Sequence, residues 1–437
     1  MLAGIGSSLL LLAASAVASP AAGGREPAGL HQALQELERE GKFSGAVVVR
    51  GADGVWFARG YGWADPFERR PFTADTPVDS GSLAKPITSA AVLLLTRDGK
   101  IELDAPVKRY LPEYPHSSAT VRHLLSHSAG LNFINTADGL ANKSNATLLA
   151  ASGAPLFPPG TAFSYCNLCS VTLAMLIERA SGMHYLEFVK RRLAMPPSVS
   201  LRPARLADWS GRAIGYRRNV DGGIARFDSW DGELFYGPAN FSISAAQLAD
   251  WGSKWWQSSL RPIRQTATSP ALIGHAKSGL SLGNWYCAHG QRRCHYLGHH
   301  EGFHHMLYWD ADRRVSVAMV TNNALAPAFH QRLQRALVAF AENRPVAARR
   351  ELQARLPIGE APMGEFRMRP GEKNLMVKKS GGEVSVEWRG LSYPAYPTGS
   401  AVRYVPGIDG YIAGDERGRL HWISLYDEFV GIPLERR

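Results

Sequence analysis

The sequence predicts an α+β fold, and three observations carry that prediction. β-rich runs stand near residue 45 and again from about 280 to 322, with a helix-rich stretch between them. A chain of that order joins both ends in one antiparallel sheet and lays the helices against it. A charged, Pro-containing stretch follows, and from about 363 short strands alternate with Gly-rich turns, a small all-β unit of its own.

The chain has 437 residues, more than one ordinary domain, and 45% hydrophobic against 20% charged residues is a globular balance with a sizeable core. Its first 24 residues, MLAGIGSSLLLLAASAVASPAAGG, hold a short apolar run that ends in Ala16-Val17-Ala18. A small-x-small ending of that kind reads as a signal peptide, residues 1–18, although no basic residue precedes the run. The run falls short of the roughly 20 apolar residues that span a bilayer, and no later segment reaches that length. An exported chain, periplasmic or secreted and without a transmembrane segment, is the expectation.

Leu30, Leu34 and Leu37 recur at helical spacing before Gly41, so a first helix opens the main domain, taken as 27–343. SGAVVVRGADGVWFARGYG then sets two β-rich runs around an Ala-Asp-Gly turn, a hairpin. In DSGSLAKPITSAAVLLLTRDGK, Ile87, Ala90, Ala91, Leu94 and Leu95 repeat at three and four, a helix buried on most of its surface, with Pro86 near its start where proline is tolerated. More helices follow, in TVRHLLSHSAGL and SVTLAMLIERASGMHYLEFVKRRL. Across the polar DADRR turn the chain reads as a hairpin again, and AFHQRLQRALVAFAENR closes as a helix lying back on the sheet. The linker is 344–362 and the small β-sheet or barrel is 363–437.

The net charge of +11 invites a nucleic-acid reading, but the Arg pairs are scattered and form no run. They read as a solvated basic surface, attractive to anionic polymers in general and specific to none. Four cysteines in an exported chain suggest two disulfides. Cys287 and Cys294 flank a turn and suit a cross-strand bridge, with a zinc set of Cys287, His289, Cys294 and His295 as the alternative. Cys166 and Cys169 form a Cys-x-x-Cys pair open to a bridge, a redox pair or free thiols.

Two patterns compete for the chemistry. His300-Glu301-Gly302-Phe303-His304 matches the zinc-protease pattern, which works on a helix, where residues four apart share a face. Gly298 and Gly302 punctuate this stretch and β-rich residues follow it, so it reads as strand. There His300 and His304 stand about 13 Å apart at roughly 3.3 Å per residue. A tight bend at Glu301-Gly302 is the one way to bring them together as cross-strand neighbours, and no metal is expected. In GSLAK, Ser82 and Lys85 are three apart at a helix N-terminus and so lie one turn apart on one face. A serine hydroxyl needs a base, and a desolvated neutral lysine can be one. Alone, the pattern equally describes a capping serine and a solvated lysine. Tyr165-Cys166-Asn167 follows a Pro-Gly turn; the phenol can share the base role and the amide can hold Lys85 or a substrate amide.

With these elements in place, residues from about 43 to 340 resemble the serine β-lactamase-related family, which includes class C β-lactamases, D-alanyl-D-alanine carboxypeptidases, D-aminopeptidases and related esterases. FSGAVVVRGADGVWFARGYGWAD, the Ser82 segment, TVRHLLSHSAGL, FPPGTAFSYCNL, SISAAQLADW and VSVAMVTNN run in the family's order. The tail from 363 resembles the small β domain that often follows. The resemblance implies a β-lactamase/transpeptidase-like antiparallel sheet flanked by helices, with no cofactor. It makes Ser82 the nucleophile of an acyl-enzyme, with Lys85 and Tyr165 handling its proton. Asn167 contacts Lys85 and the substrate amide. His300-Glu301-Gly302 stands in the place of Lys-Thr-Gly or His-x-Gly, Gly302 permits close approach of a ligand, and the N–H groups of Ser82 and Phe303 form the oxyanion hole. His299, one residue away, exchanges with His300 if the register differs.

Three departures shape the expected activity. A neutral His300 in place of lysine holds a carboxylate less well at pH 7, which turns the reading from β-lactamase or penicillin binding toward esters and D-amino-acid peptides or amides, cell-wall peptides among them. The turn before Phe303 is short, so the cleft is differently bounded. Cys166 stands where a small residue is usual. A non-catalytic cleft-binding protein is the reading from another class, and intact Ser82, Lys85 and Tyr165 count against it.

Overall fold

The structure, a computed structural model, describes residues 29–131, 140–218, 223–257, 260–273, 276–288, 292–325, 327–344, 360–367, 375–388, 391–397, 403–405, 410–414, 418–424 and 432–436. The expected signal peptide and nearly all of the expected linker lie outside the described residues.

The predicted first helix is α1, Leu30–Arg39, and it buries Leu30, Leu34 and Leu37 as its periodicity requires. The hairpin is β1, Gly45–Gly51, and β2, Gly54–Tyr61. A 3-10 turn, Gly81–Leu83, leads into α2, Ala84–Arg97, in which every residue from Ala84 to Leu95 is buried. Then come α3, Val121–Leu125, α4, Asn145–Ala150, α5, Asn167–Ser181, α6, Tyr185–Arg192, α7, Ala245–Ser253, and α8, Arg261–Thr268. The chain returns to the sheet through β3, Pro270–Ile273, β4, Ala276–Ser281, β5, Tyr286–Ala288, β6, Arg293–His300, β7, Phe303–Asp310, and β8, Val315–Thr321. Helix α9, Pro327–Ala341, closes the unit.

The sheet is eight-stranded and antiparallel, in the order β3-β4-β5-β6-β7-β8-β1-β2. The two chain ends meet where β1 pairs with β8, Gly45 opposite Thr321 through Arg50 opposite Ser316. Strands buried on both faces explain the near-continuous apolar runs of β1, β7 and β8. Alternation assigns the faces. Ala46, Val48, Leu307, Trp309, Ala318 and Val320 face α2 and the middle helices. Val47, Val49, Met306, Tyr308, Val317 and Met319 face α1 and α9. Helix α2 packs against α5, α6 and α8, and the 3-10 turn before it lies against β6 and β7, which is why Ser82 of the turn and Lys85 of the helix are held rather than solvated.

The C-terminal strands, from Gly364–Arg367 to Ile432–Arg436, close into a barrel around Phe366, Leu375, Val377, Val386, Val405, Ile412 and Leu420. Tyr396 of the barrel packs on Phe227, their ring centroids 5.8 Å apart, and the Arg217 guanidinium lies 4.5 Å from the Tyr396 centroid. The barrel thus braces the hairpin of Tyr216–Arg218 and Ile224–Arg226 that borders the site described next.

Candidate active site

The 3-10 turn brings Ser82 to the head of α2 and places Lys85 beneath it. Lys85 Nζ donates to Ser82 Oγ at 2.9 Å and to Pro238 O at 3.1 Å, and its side chain is buried, with the residue 1% exposed. Tyr165, just before α5, donates its phenol to Ser82 Oγ at 2.7 Å, and Lys85 Nζ sits 4.7 Å from the Tyr165 ring centroid. Ser82 itself is 8% exposed, open enough for a carbonyl to reach Oγ. The three residues brought together from separate patterns form one contact set: a hydroxyl, an amine and a phenol within proton-transfer distance. Asn167 stands half-buried as the first residue of α5, two positions past Tyr165.

His127 is the functional residue that sequence reasoning passed over. It lies in the quoted TVRHLLSHSAGL, and its positive φ of 55° marks a position where a side chain is rarely tolerated. Its ring stacks on Tyr165 at 5.0 Å and 11°. Nδ1 accepts the Cys166 N–H at 3.0 Å, so Nε2 carries the proton and donates to Asn284 Oδ1 at 2.6 Å. Burial, only partly opposed by the hydrogen bond to Asn284, pushes this imidazole down to about 4 and keeps it neutral. His127 is a positioning residue for the phenol. His127→Ala is expected to lower kcat by about 10–100-fold with little change in KM, the effect of a catalytic group misplaced by about 1 Å. Steady-state kinetics on any turned-over ester check it, and an unchanged kcat removes the role.

The strand side of the site departs from expectation. The two-residue turn Glu301-Gly302 puts Phe303 directly opposite His300 and His304 opposite His299. Gly302, at φ 68°, is small for the sake of this chain rather than a ligand: a Cβ there meets Phe227 O at 2.2 Å and Gly215 Cα at 2.9 Å. The Phe303 ring is buried in the core beside the middle helices. The backbone that abuts the nucleophile's turn belongs to Gly298 and His299. A Cβ on Gly298 meets Ser80 O at 2.4 Å, and one on Gly81 meets His299 O at 2.7 Å and N at 2.9 Å. A strand residue turns its N–H and C=O to the same edge, so His299 presents both to Gly81–Ser82. His299 N, close against Gly81, is therefore a candidate second donor beside Ser82 N, where the resemblance implies Phe303 N. The expected place of the His299 side chain in the cleft is corrected: it faces away, toward α9, against His304 and His330.

His300 points back to the Ser82 side but into a buried charge cluster. Its Nε2 lies 3.5 Å from Glu233 Oε2, and Nδ1 lies 2.9 Å from the Glu301 backbone N. Arg202 pairs with Glu233 and, at 3.3 Å, with Asp79 Oδ2. Asp79 Oδ1 accepts the Gly81 N–H at 3.1 Å, and His305 Nε2 donates to Asp79 O at 2.8 Å. Burial lowers the His300 pKa, yet the carboxylates of Glu233, Asp79 and Glu301 outweigh it and raise it to about 9. The carboxylates thus favour the charged form of a ring that was expected to be neutral, and its nearest charged partner is Glu233.

The sulfurs of Cys166 and Cys169 stand 2.06 Å apart, and those of Cys287 and Cys294 2.12 Å apart. Both pairs are bridged, which rules out a zinc set built on Cys287 and Cys294; its His289 lies outside the described residues. The first bridge pins the N-terminus of α5 beside Tyr165.

A family model described as Beta-lactamase matches residues 30–342. The chain is 31% identical over 210 residues to esterase EstB of Burkholderia gladioli, covering 41% of this chain and 53% of that protein. It is 27% identical over 315 residues to a D-aminopeptidase of Cereibacter sphaeroides, covering 67% and 60%. The chain spans about half the length of the curated relatives it matches. Among solved structures, an octameric penicillin-binding protein homologue from Pyrococcus abyssi superposes with a TM-score of 0.60 at 19% identity, over 91% of this chain and 98% of that one, a likeness of fold. With a family model matching most of its length and Ser82, Lys85 and Tyr165 inside the matching region, the chain belongs to the beta-lactamase family, a serine hydrolase family that includes esterases and D-amino-acid peptidases.

Proposed function

We propose that this chain is an exported serine hydrolase that forms an acyl-enzyme on Ser82 and acts on small esters or on amides and peptides of D-amino acids. The observation that carries it is the convergence of Lys85 Nζ and Tyr165 Oη on Ser82 Oγ, at 2.9 and 2.7 Å. Ser82 Oγ attacks the substrate carbonyl carbon and passes its proton along these two contacts. The carbonyl oxygen becomes an oxyanion between Ser82 N and His299 N, fixed donors that need no reorganisation. The C–O or C–N bond then breaks and the leaving group takes the proton. Water, deprotonated by the same pair, attacks the Ser82 ester and releases the acid. The His299 C=O, on the same edge, is placed to accept the N–H of an amide substrate.

Esterase and D-aminopeptidase relatives support the substrate class. Two bridged cysteine pairs suit an oxidising compartment, in keeping with export. The test is intact-mass spectrometry of the chelator-washed protein with a fluorophosphonate or a penicillin, on wild type and Ser82→Ala. One adduct, present in wild type and absent from the variant, is expected with the fluorophosphonate; a penicillin adduct would place the chain with the penicillin-recognising members. No adduct with either probe would overturn the reading in favour of a cleft-binding protein.

A further inference from the structure

Behind the strand pair that borders the nucleophile, on the face turned to α9, three imidazoles converge. The turn at Glu301-Gly302 sets His299 across from His304, and α9 lowers His330 over both. Ring centroids are 5.0 Å apart for His299 and His304, and 5.3 Å for each of the other two pairs. The planes are tilted by 73° to 86°, a propeller rather than a stack. One ring nitrogen from each lies within 4.8 Å of the other two, and His299 Nε2 is 3.5 Å from His330 Nδ1. Two imidazole nitrogens bound to one tetrahedral zinc at about 2.0–2.1 Å are about 3.4 Å apart. Side-chain shifts on the order of 1 Å therefore close the set around one ion.

The surroundings suit a metal better than a proton. Burial pushes all three imidazoles well toward the neutral form, the form that ligates. The Gln334 amide, one turn along α9, lies 3.3 Å from His330 Nε2, and Thr321 Oγ1 accepts the His304 N–H and donates to the His304 carbonyl, fixing the strand beneath it. Supports of this kind orient the ligands of metal sites. His299 is partly exposed, which leaves an entry path. The neighbouring group of Asp79, Glu233 and His300 differs in that the Arg202 guanidinium, fully buried, already supplies its cation.

The geometry points to a three-histidine site for a transition-metal dication, zinc being the probe of choice, formed by His299, His304 and His330. Imidazole ligands favour zinc, copper, nickel or iron over magnesium or calcium. The ion stands on the sheet face opposite Ser82, so it does not activate the attacking water. Its effect passes through His299, whose side chain holds the metal while its backbone N and O face Gly81. The metal is thus a clamp on the oxyanion strand. The zinc-protease pattern is a coincidence of letters, yet its second histidine is one of the three ligands.

The test uses untagged full-length mature protein, stripped with a chelator and titrated with zinc alone, then with cobalt(II). One equivalent of zinc is expected to resist gel filtration and raise Tm by several degrees, and cobalt is expected to give the intense visible bands of a tetrahedral site. His330→Gln, which keeps size and polarity and lies outside the nucleophile set, is expected to weaken zinc binding at least about 100-fold. Failure of wild type to retain zinc overturns the proposal. So does equal binding by His330→Gln, which would assign the ion to surface histidines such as His184, 55% exposed. If His330→Gln fails to fold, the wild-type cobalt spectrum decides, a weak octahedral spectrum counting against the site. Ser82 labelling in stripped protein is a separate readout, so the clamp and the hydrolase reading fail independently.

Discussion

Lys85→Met is expected to lower kcat/KM by about 100- to 10,000-fold, the usual share of a positioned general base. Methionine is close to lysine in length and apolar, so it fits a site that is 1% exposed without a charge to bury. Ser82 Oγ keeps the Tyr165 phenol at 2.7 Å and loses only the amine. Pro238 O loses its Lys85 donor, a cost of about 1–3 kcal/mol for a buried acceptor. The variant should therefore fold, with a Tm within a few degrees of wild type, while fluorophosphonate labels Ser82 far more slowly. Kinetics and labelling on one preparation make the check. A variant within tenfold of wild-type kcat/KM would shift the proton to Tyr165 alone and sink the assignment of Lys85.

Metal-stripped protein is expected to unfold cooperatively near pH 5. His127, His304, His305 and His330 are buried and His299 is partly so, and all five are held toward the neutral form, His127 and His305 pushed down to about 4 and His330 to about 3, burial being the largest cause in each case. A histidine with a depressed folded pKa binds fewer protons folded than unfolded, so its contribution is present above about 6.5 and is lost as pH falls toward the folded value. Each contributes up to about 1.4 kcal/mol per pH unit in that window, and together they amount to several kcal/mol per unit. Against an ordinary stability of about 5–15 kcal/mol, one to two units suffice. His300 runs the other way. Its pKa is raised to about 9, so the stability it contributes is full below about 6.5 and is lost as pH rises through 9. Stability should peak near neutrality. Circular dichroism against pH measures it, and a chain still folded at pH 4 after chelation would show that the imidazoles are not buried neutral. Zinc should move the acid limb, since the clamp needs deprotonated ligands.

Whatever depends on residues close along the chain was legible in the sequence. Ser82 and Lys85 are a helical turn apart, so their juxtaposition was legible from spacing, while their proposed roles came with the family resemblance. The leucines of α1, the near-continuous apolar run of β8 and the strand-helix-strand order settled the layers, since pattern and burial are linked directly. Tyr165 was legible only through the family resemblance, because a lone phenol carries no local signal. What tertiary structure decided was the register and facing of the cleft strand. The two residues Glu301 and Gly302 make the turn, so a one-residue difference in reading it exchanges the faces of His299 and His300. Packing of Gly298 on Ser80 and of Gly302 on Phe227 fixes that register, and contacts between residues 70 to more than 200 positions apart leave no trace in spacing. The same holds for charge: Glu233 and Asp79 raise the His300 pKa while burial lowers that of His127, an environment that residue identity cannot state.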